Sequence, residues 1–204
     1  MKAPADGTAR RAEIVSVSAR LFDERGYYNT TMDDIAAAMG IRKPTLYHHV
    51  KSKTQIVVWI HEELVDELTA RLEGRIAAAV PRPAVLYLVM EDILELLETR
   101  PGHLRVYFEH HRELQGEGSQ ATRDKRDHYT RLVRSTIEQG HEAGEFEAPI
   151  AALSTFAFFG MCNWAYQWYR PGGALGHREI ARYLWTTFMN GLAVGTAGPP
   201  VTRG

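Results

Sequence analysis

Apolar residues recur at three- and four-residue spacing along almost the whole chain, in runs cut by glycine and proline, while strand-type alternation is nearly absent. That pattern commits the chain to an all-α fold. A first helix is expected at 9–25, with Ile14, Val17, Ser18, Leu21 and Phe22 on one face and Gly26 at its end. Thr31 caps a short second helix with inner face Ile35, Ala36 and Met39; Asp34 takes the capping-box position and Gly40 stops the helix. A third short helix is expected at 43–49, with Pro44 near its start, where the missing N–H costs nothing. Ser52 and Gln55 open a long fourth helix that Pro81 and Pro83 break after residue 79. Further helices are expected at 84–100, 101–114, 120–143, 150–169 and 178–194. The implied architecture is a three-helix N-terminal domain at 9–51 and a six-helix domain at 52–195, between disordered tails at 1–8 and 196–204.

Composition narrows the class. The chain has 204 residues, enough for a small domain joined to a larger one. Its single cysteine, Cys162, permits no intrachain disulfide, and with no signal peptide visible a reducing cytoplasm is expected. No run approaches the roughly 18 charge-poor apolar residues of a membrane span, so no membrane partner is expected. The net charge of −1 is uninformative, but its distribution is not. Between Ile35 and His61 the formal charges are Arg42, Lys43, Lys51 and Lys53, all positive. A local basic patch on a near-neutral protein suits a DNA-binding head on a body that does not bind DNA.

The second and third helices and the glycine-containing turn between them have a helix-turn-helix outline. Gly40 supplies the left-handed backbone of the turn, and Ile41 plugs the helix crossing. If Leu46 and Val50 face inward, then Lys43, Thr45, Tyr47 and His48 point outward, with donors, acceptors and ring edges suited to the major groove. Arg42, His49, Lys51 and Lys53 flank them at phosphate-reaching positions. Thr30 and Thr31 stand at a helix N-terminus, a further phosphate site.

The stretch from Thr30 through Met39-Gly40-Ile41-Arg42-Lys43-Pro44-Thr45-Leu46-Tyr47-His48-His49 to Lys53 closely resembles the DNA-binding domain of the TetR family of bacterial regulators. Leu21 to Tyr27 is similar to that family's first helix and its exit. The resemblance implies a nine- or ten-helix fold, a homodimer, and repression relieved by a ligand. Asp33 departs from it, lying where some members carry a basic DNA contact, and is given no DNA role.

The segment 153–169 is apolar nearly all round, so two surfaces must cover it: its own core and, most simply, a second subunit. Gly160 and Ala157 would admit another helix closely. Phe158 and Trp168 here, with Tyr183 and Phe188 on the last helix, are the expected dimer-interface residues. Polar tips set in apolar surroundings suggest a small-molecule cavity between helices five and eight, lined by Ile93, Leu97, Tyr107, His111, Tyr129, Phe159, Asn163 and Trp164. Gly160 to Gly173 resembles the eighth-helix signature of a TetR subgroup that regulates fatty-acid, steroid-ring and related acid catabolism, and 141–146 is similar to its preceding loop. That resemblance implies an effector such as an acyl-CoA thioester or carboxylic acid. Arg105, Arg112, Arg123, Arg126 and Arg170 are the cations available for its anionic end.

Other classes fit less well. No phosphate loop or nucleophile elbow is present, and Cys162 has no evident base beside it, so no catalytic residue and no cofactor is expected. His103, Glu109, His110 and His111 lie close in sequence, but no second ligand cluster completes a metal site, and none is assigned. Within regulators, the alternatives are a sensor of aromatic or multidrug compounds controlling efflux, or a metal-responsive regulator. The expected function is a repressor released from a near-palindromic double-stranded operator by a small, mostly apolar effector.

Overall fold

The computed structural model describes residues 4–110 and 119–191, and in these it contains ten helices and no strand. The head consists of α1 (Pro4–Arg25), α2 (Met32–Ala38) and α3 (Lys43–His49). Ile14, Leu21, Phe22, Ile35, Leu46 and Val50 form its core, each 3% exposed or less. Gly40 has φ +66°, the left-handed conformation the turn requires. The expected capping box closes α2: Asp34 N–H donates to the Thr31 hydroxyl at 3.1 Å, and Thr31 N–H to the Asp34 carboxylate at 2.8 Å. α1 opens at Pro4, so residues 4–8 of the expected loose tail belong to a helix. The second tail, 196–204, lies outside the described residues.

The body consists of α4 (Lys53–Ala77), α5 (Arg82–Thr99), α6 (Pro101–Glu109), α7 (Ser119–Glu142), α8 (Ala151–Asn163), α9 (Ala165–Trp168) and α10 (His177–Gly191). Ser52 caps α4 as expected, accepting from Gln55 N–H at 3.1 Å, but the Gln55 side chain reaches back one residue further and accepts from Lys51 N–H at 2.7 Å. α5 is the central helix, with Val85, Leu86, Val89, Met90, Ile93, Leu94, Leu96 and Leu97 all buried. α10 is held to it by the Trp185 indole, which donates to Pro83 O at 2.8 Å, and by Arg178–Glu91 at 2.9 Å.

The single helix expected at 150–169 is two helices, broken at Trp164. There Gln167 N–H reaches Trp164 O at 3.1 Å, a three-residue bond that tightens the chain. The break sends Ala165 and Tyr169 inward, and the Tyr169 hydroxyl donates to Glu98 at 3.0 Å.

Two features tie α4 and α6 to their neighbours. Glu63, Glu67, Arg71 and Arg75 recur at four-residue steps along one face of α4. Arg71 reaches Asp92 at 2.9 Å and Glu95 at 2.6 Å, Arg75 grips the same Asp92 at 2.9 Å, and Arg100 binds Glu63 at 3.1 Å and also Glu67. Between head and body, Gly102 at the start of α6 lies so near α1 that a Cβ there would stand 2.5 Å from Ala19 O. Arg105–Asp23 at 3.1 Å and Arg11–Glu62 at 2.6 Å span the same junction.

Candidate DNA-binding surface and effector cavity

Burying Leu46 turns the rest of α3 outward: Lys43, Thr45, Tyr47, His48 and His49 are all exposed, as are Arg42 and Lys51 beside them. This is the basic face expected for DNA, with one carboxylate set into it. Asp33 on α2 takes the Lys43 ammonium at 2.7 Å, and that hydrogen bond raises the Lys43 pKa. Asp33 thus takes one of the three donors of the Lys43 ammonium, a contact that sequence spacing across the turn did not reveal.

Three residues expected at phosphates are placed differently. Thr30 is fully buried, its hydroxyl donating to Gly26 O at 2.9 Å and Leu21 O at 3.3 Å, so its side chain serves the head's core rather than a phosphate. The Thr31 hydroxyl is exposed but donates to the Asp34 carboxylate at 2.5 Å, which puts an anion where a phosphate would approach. Lys53 is partly buried: its ammonium donates to Tyr27 O at 2.6 Å and Thr30 O at 2.9 Å and sits 4.2 Å over the Tyr27 ring. It fastens the start of α4 to the loop after α1.

In the body, α4, α5, α6, α7 and α8 line an apolar cavity of about 190 Å³ that is partly open to the surface. Ile93, Tyr107, Tyr129, Phe159 and Asn163 line it, five of the eight residues expected there. Leu97 instead faces a separate cleft of about 510 Å³ between α1, α6 and α9, together with Asp23, Arg105 and Arg170. Trp164 is 63% exposed and does not line the cavity; it borders an adjoining depression that shares Phe108, Phe159 and Asn163 with it. His111 and Arg112 lie outside the described residues.

Sequence reasoning missed Leu64, Val65 and Leu68, which bring α4 itself into the wall, and Leu96, Leu104, Phe108 and Phe156. Apolar spacing alone does not separate cavity wall from core. Among the polar residues of the lining, Arg126 and Asn163 are partly exposed. Arg126 has a weak ion pair with Asp127 at 3.8 Å, and the Asn163 amide has no hydrogen-bond partner among the described residues. Burial pushes the Tyr107 pKa up to about 12 and that of Tyr129 well above its ordinary value, so both phenols stay protonated. Burial also raises the Cys162 thiol, which keeps it unreactive. No group of three or more metal-binding side chains forms among the described residues, and no helix of these is long and apolar enough to cross a membrane.

The expected interface residues divide. Phe158 and Phe188 are buried against each other, ring centroids 5.5 Å apart, and belong to the core between α8 and α10. The two-sided apolar character of the eighth helix marked them for an interface; their side chains instead point inward in this protomer. Trp168 and Tyr183 are 46% and 72% exposed. The bare outer stripe of α8 is Leu153, Phe156, Ala157 and Gly160.

Residues 14–58 match the family described as bacterial regulatory proteins, tetR family, and residues 81–192 match the tetracyclin repressor-like C-terminal domain. The chain belongs to the TetR family. The TetR-family chain is 30% identical over 196 residues to the HTH-type transcriptional repressor KstR2 of Rhodococcus jostii, covering 93% of this chain and 96% of that protein. It superposes on the structure of the ketosteroid transcriptional regulator KstR2 of Mycobacterium tuberculosis with a TM-score of 0.81 at 25% identity, over 90% and 95% of the two chains. AibR in complex with isovaleryl coenzyme A and operator DNA gives a TM-score of 0.78 at 27% identity, over 88% and 98%. The TetR family is one of DNA-binding regulators, and the enzyme alternative is set aside.

Proposed function

We propose that this TetR-family regulator is a repressor that binds a near-palindromic duplex as a homodimer and lets go when a small, mostly apolar effector with an acid or thioester end enters the α4–α8 cavity. The observation that carries this is the dual duty of α4. Leu64, Val65 and Leu68 form part of the cavity wall, while Lys53 at the start of the same helix is fastened to the head. An occupant that displaces α4 therefore acts directly on the helix that positions the DNA-binding face.

The effector class is supported by apolar walls that include Arg126 and Asn163, and by the acyl-CoA and operator named in the AibR complex. The DNA-contacting set is Arg42, Lys43, Thr45, Tyr47, His48, His49 and Lys51. Dimerisation is assigned to the bare stripe of α8 with Trp168 and Tyr183, because exposed apolar stripes of this kind mark association surfaces. The dimer sets its two α3 helices in major grooves about one helical turn apart, roughly 34–36 Å.

An effector shifts the DNA-bound state only as far as it prefers the released one, and by linkage operator must weaken effector binding by the same factor. The test titrates carboxylic acids and CoA thioesters into the full-length protein with and without saturating operator. Effector affinity should fall in the presence of operator. An effector that binds tightly and equally in both conditions overturns the allosteric part; failure to bind promoter DNA at low salt overturns the whole.

A further inference from the structure

We infer that Asp33 determines DNA specificity: by pairing with Lys43 it confines that lysine to base edges and lowers the affinity of the head for DNA of other sequence. This rests on the DNA-binding reading above and deepens it. Lys43 opens α3, and the N-terminal residues of a recognition helix are the ones that meet base edges, while the helix before it crosses the phosphate backbone. Asp33 stands in the first turn of α2, and its carboxylate accepts from the Lys43 ammonium across the turn at 2.7 Å. Both side chains are exposed, 63% for Asp33 and 48% for Lys43.

Local structure does not account for this carboxylate. Asp34 beside it completes the capping box with Thr31 and stands 3.6 Å from Arg25. Asp33 has no such duty, and Lys43 is its one hydrogen-bond partner among the described residues. An exposed pair of this kind contributes little to stability, so what it changes is the surface that DNA meets. An ammonium has three donors, and the carboxylate occupies one. The pair is close to neutral and attracts phosphate weakly, yet two donors remain for acceptors on a base. A phosphate oxygen taking one of them would stand roughly 4–5 Å from the carboxylate and be repelled by it, whereas guanine O6 and N7 carry no formal charge. Arg42 and Lys51, also exposed on this face, have no ion pair among the described residues and remain available to the backbone.

The test uses the full-length protein and two duplexes of equal length, one selected by the parent protein from a random pool and one of random sequence. Affinities are read by electrophoretic titration at several salt concentrations. Lys43→Ala should weaken binding to the selected duplex about fivefold or more and to the random duplex less than about twofold, with the salt slope on random DNA unchanged. Asp33→Asn frees the ammonium. Affinity for random DNA should then rise about threefold or more, its salt slope should steepen by about one, and the ratio of selected to random affinity should fall by about threefold or more. Adding Lys43→Ala to Asp33→Asn should cancel most of that gain. Both positions are exposed, and Asp33→Ser stands in for Asp33→Asn should the latter not fold. A uniform loss on both duplexes from Lys43→Ala, with the slope lowered by about one, overturns the inference and leaves the DNA-binding reading standing. So does an Asp33 variant whose two affinities move by one common factor or not at all. A gain on random DNA that survives the loss of Lys43 overturns the role of the pair. A parent protein that selects no duplex overturns the DNA-binding reading and the inference together.

Discussion

Asp92→Asn tests whether the ionic ladder clamps α4 to α5. The Asp92 side chain is 6% exposed and receives Arg71 and Arg75, whose side chains are 33% and 20% exposed. Asparagine keeps the shape and removes the charge. Arg71 retains Glu67 and Glu95, whereas Arg75 loses its ion-pair partner among the described residues. Breaking a fully buried pair costs about 3–5 kcal/mol. With two half-covered arginines, one of them still paired, the expected cost is about 2 kcal/mol. For a chain of this size that lowers the melting temperature by about 4–8 °C. Thermal unfolding by circular dichroism at fixed protein concentration reads it. The double variant Asp92→Leu with Arg75→Met, which removes both charges, should be more stable than either single change, with a coupling of at least ~1 kcal/mol. If Asp92→Asn melts within about 1 °C of the parent, at the shift expected for a neutral surface change, the clamp contributes nothing and the reasoning is wrong.

Lys51→Ala should weaken binding to operator and random DNA alike and reduce the slope of log affinity against log salt by about one, whereas Thr45→Ala should cost about 1–3 kcal/mol on operator only; electrophoretic titrations at several salt concentrations check both. Lys53→Ala should lower thermal stability, because its ammonium satisfies the Tyr27 and Thr30 carbonyls, and an unchanged melting curve would contradict that placement. Burial depresses the His103 pKa to about 4, so the folded protein binds this proton less readily than the unfolded chain. Stability from this site is therefore complete above about pH 6.5 and is lost as pH falls toward 4, on the order of 2–3 kcal/mol. His103→Gln should flatten the acid limb of stability against pH, and an unchanged limb would refute the assignment. Replacing exposed Tyr183 with Glu should shift sedimentation toward monomer, while the same change at buried Phe158 should unfold the protein.

Helix periods and stops were legible because they are local: Gly40, Pro44 and the Thr31–Asp34 box each act within a few residues. The outward face of α3 followed from one decision, that Leu46 points in. What could not be read depends on partners distant in sequence. Lys53 looks like any exposed lysine until Tyr27 and Thr30, 26 and 23 residues away, are folded beneath it. Phe158 and Phe188 carry the composition of an interface, and only the rotation of α8 and α10 about their axes makes them core. The hydrophobic run at 153–169 showed no preferred face, so the break at Trp164 had no periodic signal to reveal it. Leu97 turns to the cleft beside Arg105, and Trp164 to the depression that shares Phe108, Phe159 and Asn163 with the cavity.

The approach of Gly102 to Ala19 makes the joint between sensor and head a contact of main chain on main chain. Most helix contacts are cushioned by side chains, whose torsions take up small displacements before the neighbouring backbone feels them. Here that cushion is absent at Gly102, although the Arg105–Asp23 and Arg11–Glu62 pairs also cross the junction through side chains. The contact stands apart from the cavity, since neither Gly102 nor Ala19 belongs to its lining. Side chains around the cavity can therefore be exchanged for others, altering the shape of the pocket, while this main-chain contact keeps its geometry.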